Sequence, residues 1–469
     1  MFANPSGITA ESLGSARFRA DYGLRYAYLA GSMFKGISSS RLVVAMGRAG
    51  LMGFLGTGGL SPERIEAGIR EIQAQLPDGQ PYGVNLLANL ARPEAEEQAV
   101  DVFLRHGVRN VEAAAFVRIS PSLVRWRLTG LDTGPDGRIV RPRRILAKVS
   151  RPEVAAAFLS PPPEALVKEL VAAGRLTERE ARLGEHIAMA DDICVEADSG
   201  GHTDQGVAYA LMPAMTALRD RMRTRYGYAD PVGLGAAGGI GTPQAAAAAF
   251  VLGADFVVTG SVNQCTPEAG TSDSVKDLLQ GLDVQDTVYA PAGDLFELGA
   301  RVQVARRGLF FPARANRLYE LYQRNDSLDA IDPETRRTIE QQYFGRTFEE
   351  VWQETRDHYA RVDPQVLAAV EANPKQKLAM VFRWYFVHCT RLAMHGVEER
   401  RVNYQIHCGP AMGAFNQWVK GTQYEHWADR PVSVVAELIM QGAAGQLADR
   451  FAAMTGPDTA AAATTAATA

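Results

Sequence analysis

The chain is poor in cysteine, in surplus positive charge and in long apolar runs, and each shortage removes a class of protein. Four cysteines (Cys194, Cys265, Cys389 and Cys408) occur in 469 residues, none of them in a CxxC pair. That spacing builds neither a zinc knuckle nor a disulfide framework, and it suits a reducing compartment. The eight histidines form no HxH or HxxxH pair, so no metal site is expected. A formal net charge of −4 gives no support to a nucleic-acid partner. The opening MFANPSGITAESLG lacks the basic and apolar regions of a secretory signal. The longest apolar stretch, 236–258, is broken by Pro243, Gln244, Asp255 and several glycines, so no membrane span is expected either. A cytoplasmic protein is the expectation.

What is present is a repeated unit. Eight short apolar runs occur in order: Tyr26 to Ala30, Leu51 to Leu55, Tyr82 to Leu86, Asn110 to Ala114, Ile145 to Val149, Ile193 to Ala197, Val232 to Ala236 and Asp255 to Thr259. Most are followed by a capped amphipathic segment, as at Ser61-Pro62 and Thr242-Pro243, where a hydroxyl side chain precedes a proline suited to the first helical position. Buried strands alternating with capped helices argue for parallel βα units, and eight such units argue for a closed α/β barrel of the (β/α)8 TIM type. The expected division is an N-terminal segment at 1–20, the barrel at 21–289, a C-terminal helical subdomain at 290–454 and a disordered tail at 455–469. A polar hairpin-like insertion, DTGPDGRIVRPRR, precedes the fifth strand. The aromatic stripe Phe382, Trp384, Tyr385 and Phe386 is expected to be helix packing.

Candidate site residues lie where these strands end. Gly238-Gly239 and Gly260-Ser261 follow the last two strands, where a barrel of this kind usually holds a phosphate. The formal GxGxxG match at Gly233 to Gly238 is expected to be accidental, because the residues before it are mostly polar. Asn85 and Lys148 stand in otherwise apolar strands, and a polar group buried there needs a partner, which favours a ligand role. His202, in EADSGGHTD, follows two glycines just past the sixth strand, so it is a candidate proton donor near neutral pH as well as a candidate structural histidine. The basic run Arg141-Pro-Arg-Arg144 reads as a solvated loop.

Seven stretches, in this order, resemble the PfaD family of trans-acting enoyl reductases: FRADYGLRYAYLAGSMFKG, PYGVNLL, ILAKVS, MADDICVEADSGGHTD, GAAGGIGTP, GADFVVTGSVNQ and GPAMGAFNQWVKG. More widely, the barrel half resembles FabK-type enoyl-acyl-carrier-protein reductases and nitronate monooxygenases. The resemblance implies bound FMN, with NADPH or NADH as hydride donor. The implied substrate is an enoyl thioester on an acyl carrier protein of a polyketide or polyunsaturated fatty acid synthase. It implies that His202 is catalytic and delivers a proton. It also implies that Gly31, Asn85, Lys148, Glu196 and Gly201 line the flavin, while Gly238, Gly239, Gly260 and Ser261 hold its phosphate. No metal, nucleic acid or membrane is implied, and a homodimer is compatible with it. Where the family usually reads HTDNR, this chain has Gln205-Gly206. Two other functions stand beside this one: a nitronate monooxygenase-like flavin oxidase, and a docking protein whose barrel has lost catalysis.

Overall fold

The computed structural model describes residues 7–89 and 92–455. Eight parallel strands close into a barrel: β1 (Tyr28–Ala30), β2 (Met52–Leu55), β3 (Gly83–Leu87), β4 (Asn110–Ala114), β5 (Arg144–Val149), β6 (Asp192–Glu196), β7 (Gly233–Ala237) and β8 (Phe256–Thr259). Each lies within two residues of its apolar run in the sequence. Closure is made by β1 pairing with β8, Tyr28 opposite Val257 and Ala30 opposite Thr259. The strands are apolar on both faces because helices cover the outside while side chains fill the inside. The helices after β2 and β7 begin at the predicted caps, Ser61 and Thr242, and the one after β1 at Ser39; each accepts a backbone N–H of the first turn. A helix at Pro152–Leu159, after β5, was not legible in the sequence.

The inside of the barrel is packed at its foot. Phe54 and Phe256 point inward, and each occupies the space where Gly83 or Gly235 has no side chain; a Cβ on either glycine would come within 2.2 Å of a ring carbon. The helix Ala16–Tyr22 plugs this end, stacking Phe18 on Phe256 at 4.1 Å between centroids. Gly233 and Gly235, the first two glycines of the formal GxGxxG, therefore lie within a strand and serve packing. At the same end Arg127, fully buried, donates to Asp191 Oδ2 at 2.5 Å and to the Ala188 carbonyl at 3.0 Å. Asp191 also accepts the Ile145 amide, tying the starts of β5 and β6 together.

The ring is completed from the far end of the chain. The last helix, Val432–Thr455, packs on Pro243–Val251 and Ser40–Arg48, and its buried face (Val435, Ile439, Met440, Ala443) belongs to the barrel's outer core. Gly442 has no room for a Cβ, which would meet Pro243 Cγ at 2.5 Å. The segment from 265 to 431 thus lies between β8 and the helix that closes the barrel.

Within that segment the helical part has its own aromatic core. Phe311, Phe344, Phe348, Phe382, Tyr385 and Phe386 pack together from the helices Phe311–Arg324, Phe348–Val362 and Pro374–His395 and the helical turn Ile339–Phe344. The predicted packing role of the aromatic stripe is what is found. The stretch is not wholly helical, however. Strands Thr287–Pro291 and Arg301–Ala305 form an antiparallel pair, and Gly201–His202 joins its edge. This three-stranded sheet is built from residues on both sides of β7 and β8, a pairing that local sequence does not announce. The tail expected at 455–469 lies, beyond Thr455, outside the described residues, as do residues 1–6 of the N-terminal segment.

Two stability measurements check this account. Asp191→Ala leaves the Arg127 guanidinium buried without its partner, and a loss of about 3–5 kcal/mol in urea unfolding is expected. Gly200→Ala places a Cβ 2.7 Å from the Gly409 nitrogen, backbone that cannot yield cheaply. A loss of about 1–3 kcal/mol is expected there.

Candidate active site

Side chains alternate along a strand, so the last inward positions of several strands meet at one end of the barrel. Here those positions are polar. Asn85 on β3, Glu112 on β4, Lys148 on β5 and Glu196 on β6 follow inward Phe54, Leu146 and Cys194 below them. Glu112 is fully buried and accepts the Ser32 amide at 3.1 Å, the Ser32 hydroxyl, and Asn85 Nδ2 at 3.4 Å. Asn85 Nδ2 also donates to the Glu112 carbonyl at 3.1 Å. Lys148 Nζ lies 3.1 Å from Glu196 Oε1. Burial works against the Lys148 charge, but Glu196 and then Glu112 outweigh it, so its pKa is raised and the ammonium persists. Gly31, just past β1, faces the same space: a Cβ there would meet Val258 Cγ1 at 2.9 Å and Glu112 Oε1 at 3.5 Å.

Above this ring stands His202. It is in a strand, opposite Val302, and its side chain keeps 49 % of its exposure. Nε2 lies 2.8 Å from Asp294 Oδ1. Burial pulls the imidazole's pKa down, but the hydrogen bond and charge of Asp294 outweigh it, and the net direction is up. Gly201, beside it, has a φ of +87° and packs under a second imidazole, that of His407. The two histidine rings are 6.4 Å apart, edge to face. His407 stacks on Phe34 at 4.8 Å and meets Gln405 Nε2 at 2.9 Å. Burial and the nearby charge of His202 push its pKa down to about 3, so it is neutral at physiological pH.

Asp294 and His407 both come from the segment between β8 and the closing helix. Its return strand lies along Arg301–Ala305, Cys408 donating to the Gln303 carbonyl and Ala305 to that of Ile406. Gly200 and Gly409 press backbone on backbone where it crosses the loop after β6. Tyr289 OH, donating to Asp198 Oδ2 at 2.5 Å, ties the same loop to the hairpin.

The glycine turns form the third part. Gly238 and Gly239 have φ of +89° and +73°. A Cβ on Gly238 would strike the Ala197 and Asp198 carbonyls at 2.7 Å, whereas one on Gly239 or Gly260 would meet nothing within 4 Å. Among the described residues the amides of Gly239, Ile240, Gly241 and Gly260 donate to no protein acceptor. Free amides beside open space, after a left-handed glycine pair, suit a phosphate. The Ser261 hydroxyl accepts the Gly409 amide at 3.0 Å, so this residue also anchors the return strand. An FMN fits such a mouth: open backbone cradle for its phosphate, and a fixed cation among polar groups for its ring.

The remaining candidates lie elsewhere. Arg141 faces Asp191 and Asp230, Arg143 covers the Trp126 ring and Arg144 pairs with Asp21, all at the foot of β5 and away from the mouth. That run is held at the closed end by ion pairs of Arg141 and Arg144 and by the Arg143–Trp126 contact, and is not a solvated loop. Among the described residues no cluster of three metal-ligating side chains occurs, and no helix is long and apolar enough to cross a membrane. Glu112 was open to the reasoning that singled out Asn85 and Lys148, since a charged residue inside NVEAA needs a partner. Asp294 and His407 had no local signal.

A family model described as nitronate monooxygenase matches residues 23–304. A second, described as the inserted helical domain of [acyl-carrier-protein] S-malonyltransferase, matches residues 325–404. The polyketide biosynthesis protein PksE of Bacillus subtilis is 54 % identical over 452 residues, 96 % of this chain and 58 % of that protein. A polyunsaturated fatty acid synthase polypeptide of Thraustochytrium sp. is 42 % identical over 88 % of this chain and 28 % of that protein. The chain therefore spans well under two thirds of the length of these curated relatives. The crystal structure of the enoyl reductase domain of MlnA, from the macrolactin cluster of Bacillus amyloliquefaciens, superposes with a TM-score of 0.91 at 44 % identity, covering 95 % of this chain and 99 % of that domain.

The histidine–aspartate pair has a direct check. Asp294 raises the His202 pKa, so Asp294→Asn should move the His202 ring titration to lower pH by NMR, and an unchanged midpoint would contradict the pairing. The sign carries over to stability. The stabilisation that the pair provides is fully present below the ordinary histidine pKa and is lost as pH rises through the raised value.

Proposed function

We propose, for a chain that belongs to the nitronate monooxygenase family and within it to the PfaD-type enoyl reductases, reduction of the α,β double bond of an enoyl thioester carried on an acyl carrier protein of a polyketide or polyunsaturated fatty acid synthase. FMN held at this mouth would supply the hydride chemistry, with NADPH or NADH as the donor and the β-carbon as the acceptor. The observation that carries this reading is the His202–Asp294 pair standing over a barrel mouth with a fixed ammonium and an open phosphate cradle.

The chain's own residues have separate tasks in it. Gly238, Gly239 and Gly260, with the amides of Ile240 and Gly241, hold the phosphate, and Ser261 fixes the return strand beside it. Gly31 and Gly201 let the ring and ribityl chain approach the backbone, and Asn85, held by Glu112, lines the ring edge. Lys148, kept in place by Glu196, supplies positive charge where electron density arrives, at no cost of reorganisation. His202 has Nε2 tied to Asp294, which leaves Nδ1 as the atom that gives a proton to the α-carbon. With half of its surface exposed, it is reprotonated from solvent. His407, neutral, walls the mouth beside it without competing for the proton.

The family model also covers oxidases of small nitronates, and oxygen separates the two functions. Purified protein should be yellow. Under anaerobic conditions NADPH should bleach it, and an enoyl thioester should restore the colour faster than oxygen does; the reverse order would favour the oxidase. His202→Ala should slow the thioester half-reaction by about 10²–10⁴-fold and leave flavin content unchanged. Equal loss in both half-reactions would remove the proton-delivery role.

A further inference from the structure

His202 and Asp294 belong to segments 92 positions apart, and their contact lasts only if those segments keep their places. His202 is on a two-residue strand, Gly201–His202, at the hairpin's edge. Asp294 is in the turn between the hairpin's own strands, Thr287–Pro291 and Arg301–Ala305. That turn is fixed on its far side. Arg383, on the helix Pro374–His395, donates to Glu297 Oε1 at 2.9 Å and to the Asp294 carbonyl at 3.4 Å. Gly293 also lies against the same helix, where a Cβ would meet Phe386 Cβ at 2.6 Å. These contacts hold Asp294 to the insertion, and the insertion must in turn be held to the loop that carries His202.

Backbone supplies part of that second tie. Gly201 and His202 pair with Gln303 and Val302, and the Thr203 amide donates to the Arg301 carbonyl at 3.3 Å. All of these fall on one strand of the hairpin, whereas Asp198 reaches both. Its Oδ2 accepts the Tyr289 hydroxyl at 2.5 Å from the far strand and Gln303 Nε2 at 3.4 Å from the near one. Tyr289 and Gln303 are opposite one another in register, so their side chains leave the sheet on the same face. Asp198 Oδ1 accepts the Thr203 hydroxyl at 2.7 Å, next to His202. That hydroxyl in turn accepts the Gln205 amide at 3.0 Å, where the backbone is left-handed, φ +57°. The Asp198 amide closes the loop on the Gly206 carbonyl at 2.8 Å.

Alternation along the strand decides what Asp198 can do. Gln303, and Asp198 with it, lie on the face opposite to that of Val302 and His202. The carboxylate thus stands behind the imidazole and makes no hydrogen bond to it. Burial lowers the His202 pKa, Asp294 and Glu196 raise it, and Lys148 lowers it; His407, edge to face with the ring, is neutral. We propose that Asp198 is a positioning residue for His202: by tying the loop after β6 to both hairpin strands from behind, it holds Nε2 on Asp294 in the orientation that leaves Nδ1 to the substrate. That task rests on the proton-delivery role proposed above for His202, but its first readout needs no turnover.

The test is the His202 ring titration by NMR in the flavin-loaded protein, in a double-mutant cycle with Asp294. Asp198→Asn should lower the midpoint by about half of the Asp294→Asn shift or more. Tyr289→Phe, which removes a tie without removing a charge, should move it in the same direction, and it carries the cycle alone if Asp198→Asn fails to fold. In the Asp294→Asn background neither should lower the midpoint further, since no carboxylate remains to hold the imidazole. Unchanged midpoints in the single variants would overturn the proposal. So would additive shifts in the double variants, which would make Asp198 a distant charge and not a tie. In anaerobic reoxidation by an enoyl thioester the pH profile should follow the NMR midpoint. If the midpoint moves and the profile does not, the positioning stands and the proton-delivery role alone fails.

Discussion

The site depends on one close approach of backbone to backbone. Gly200, in the loop after β6, lies against Cys408 and Gly409 with no room for a side chain on either glycine. That contact fixes where the chain returns to the barrel after leaving it at β8. It places His407 over Gly201, within reach of His202, and it lets the Gly409 amide reach the Ser261 hydroxyl. A bulkier pair here would lift the return strand off the mouth, and the second imidazole, the phosphate-side anchor and the hairpin carrying Asp294 would move with it. Glycine is needed because the distance, and not a turn, demands it.

Beneath that lid, the period of two along each strand decides which residues face one another. Leu146 and Lys148 share the inner face of β5, as Cys194 and Glu196 share that of β6, so one step along the strand changes packing into chemistry. Charges at such depth persist only when paired. Glu112 is satisfied by Ser32 and Asn85, and Lys148 by Glu196, which leaves a preorganised polar floor with opposite charges in fixed places. Rigidity of this kind is what electrostatic stabilisation of a reaction requires, because no dipole has to turn when charge moves.

The insertion between β8 and the closing helix has a double character. Its aromatic core is separate from that of the barrel, yet its two ends contribute Asp294 and His407 to the mouth. The basic residues at 141–144 show the opposite case: a run that looks available in the sequence is absorbed by Asp21, Asp191 and Asp230 at the closed end. Charge in a sequence says little about which end of a barrel it occupies, since strand polarity sets that.

By itself the sequence determined the eight βα units, their caps, the glycine turns after the last two strands and the identity of His202 as a histidine free of apolar neighbours. These are local properties, written in period, capping and turn chemistry over stretches of a dozen residues. The same local logic covered Asn85 and Lys148, and it applied equally to Glu112. Only tertiary structure decided that Gly235 of the formal GxGxxG makes room for the Phe256 ring, that the barrel's last helix comes from the far end of the chain, and that Asp294 and His407 meet His202. The contacts of His202 join residues roughly 90 to 200 positions apart, brought together by return of the insertion; no period or motif spans such a gap.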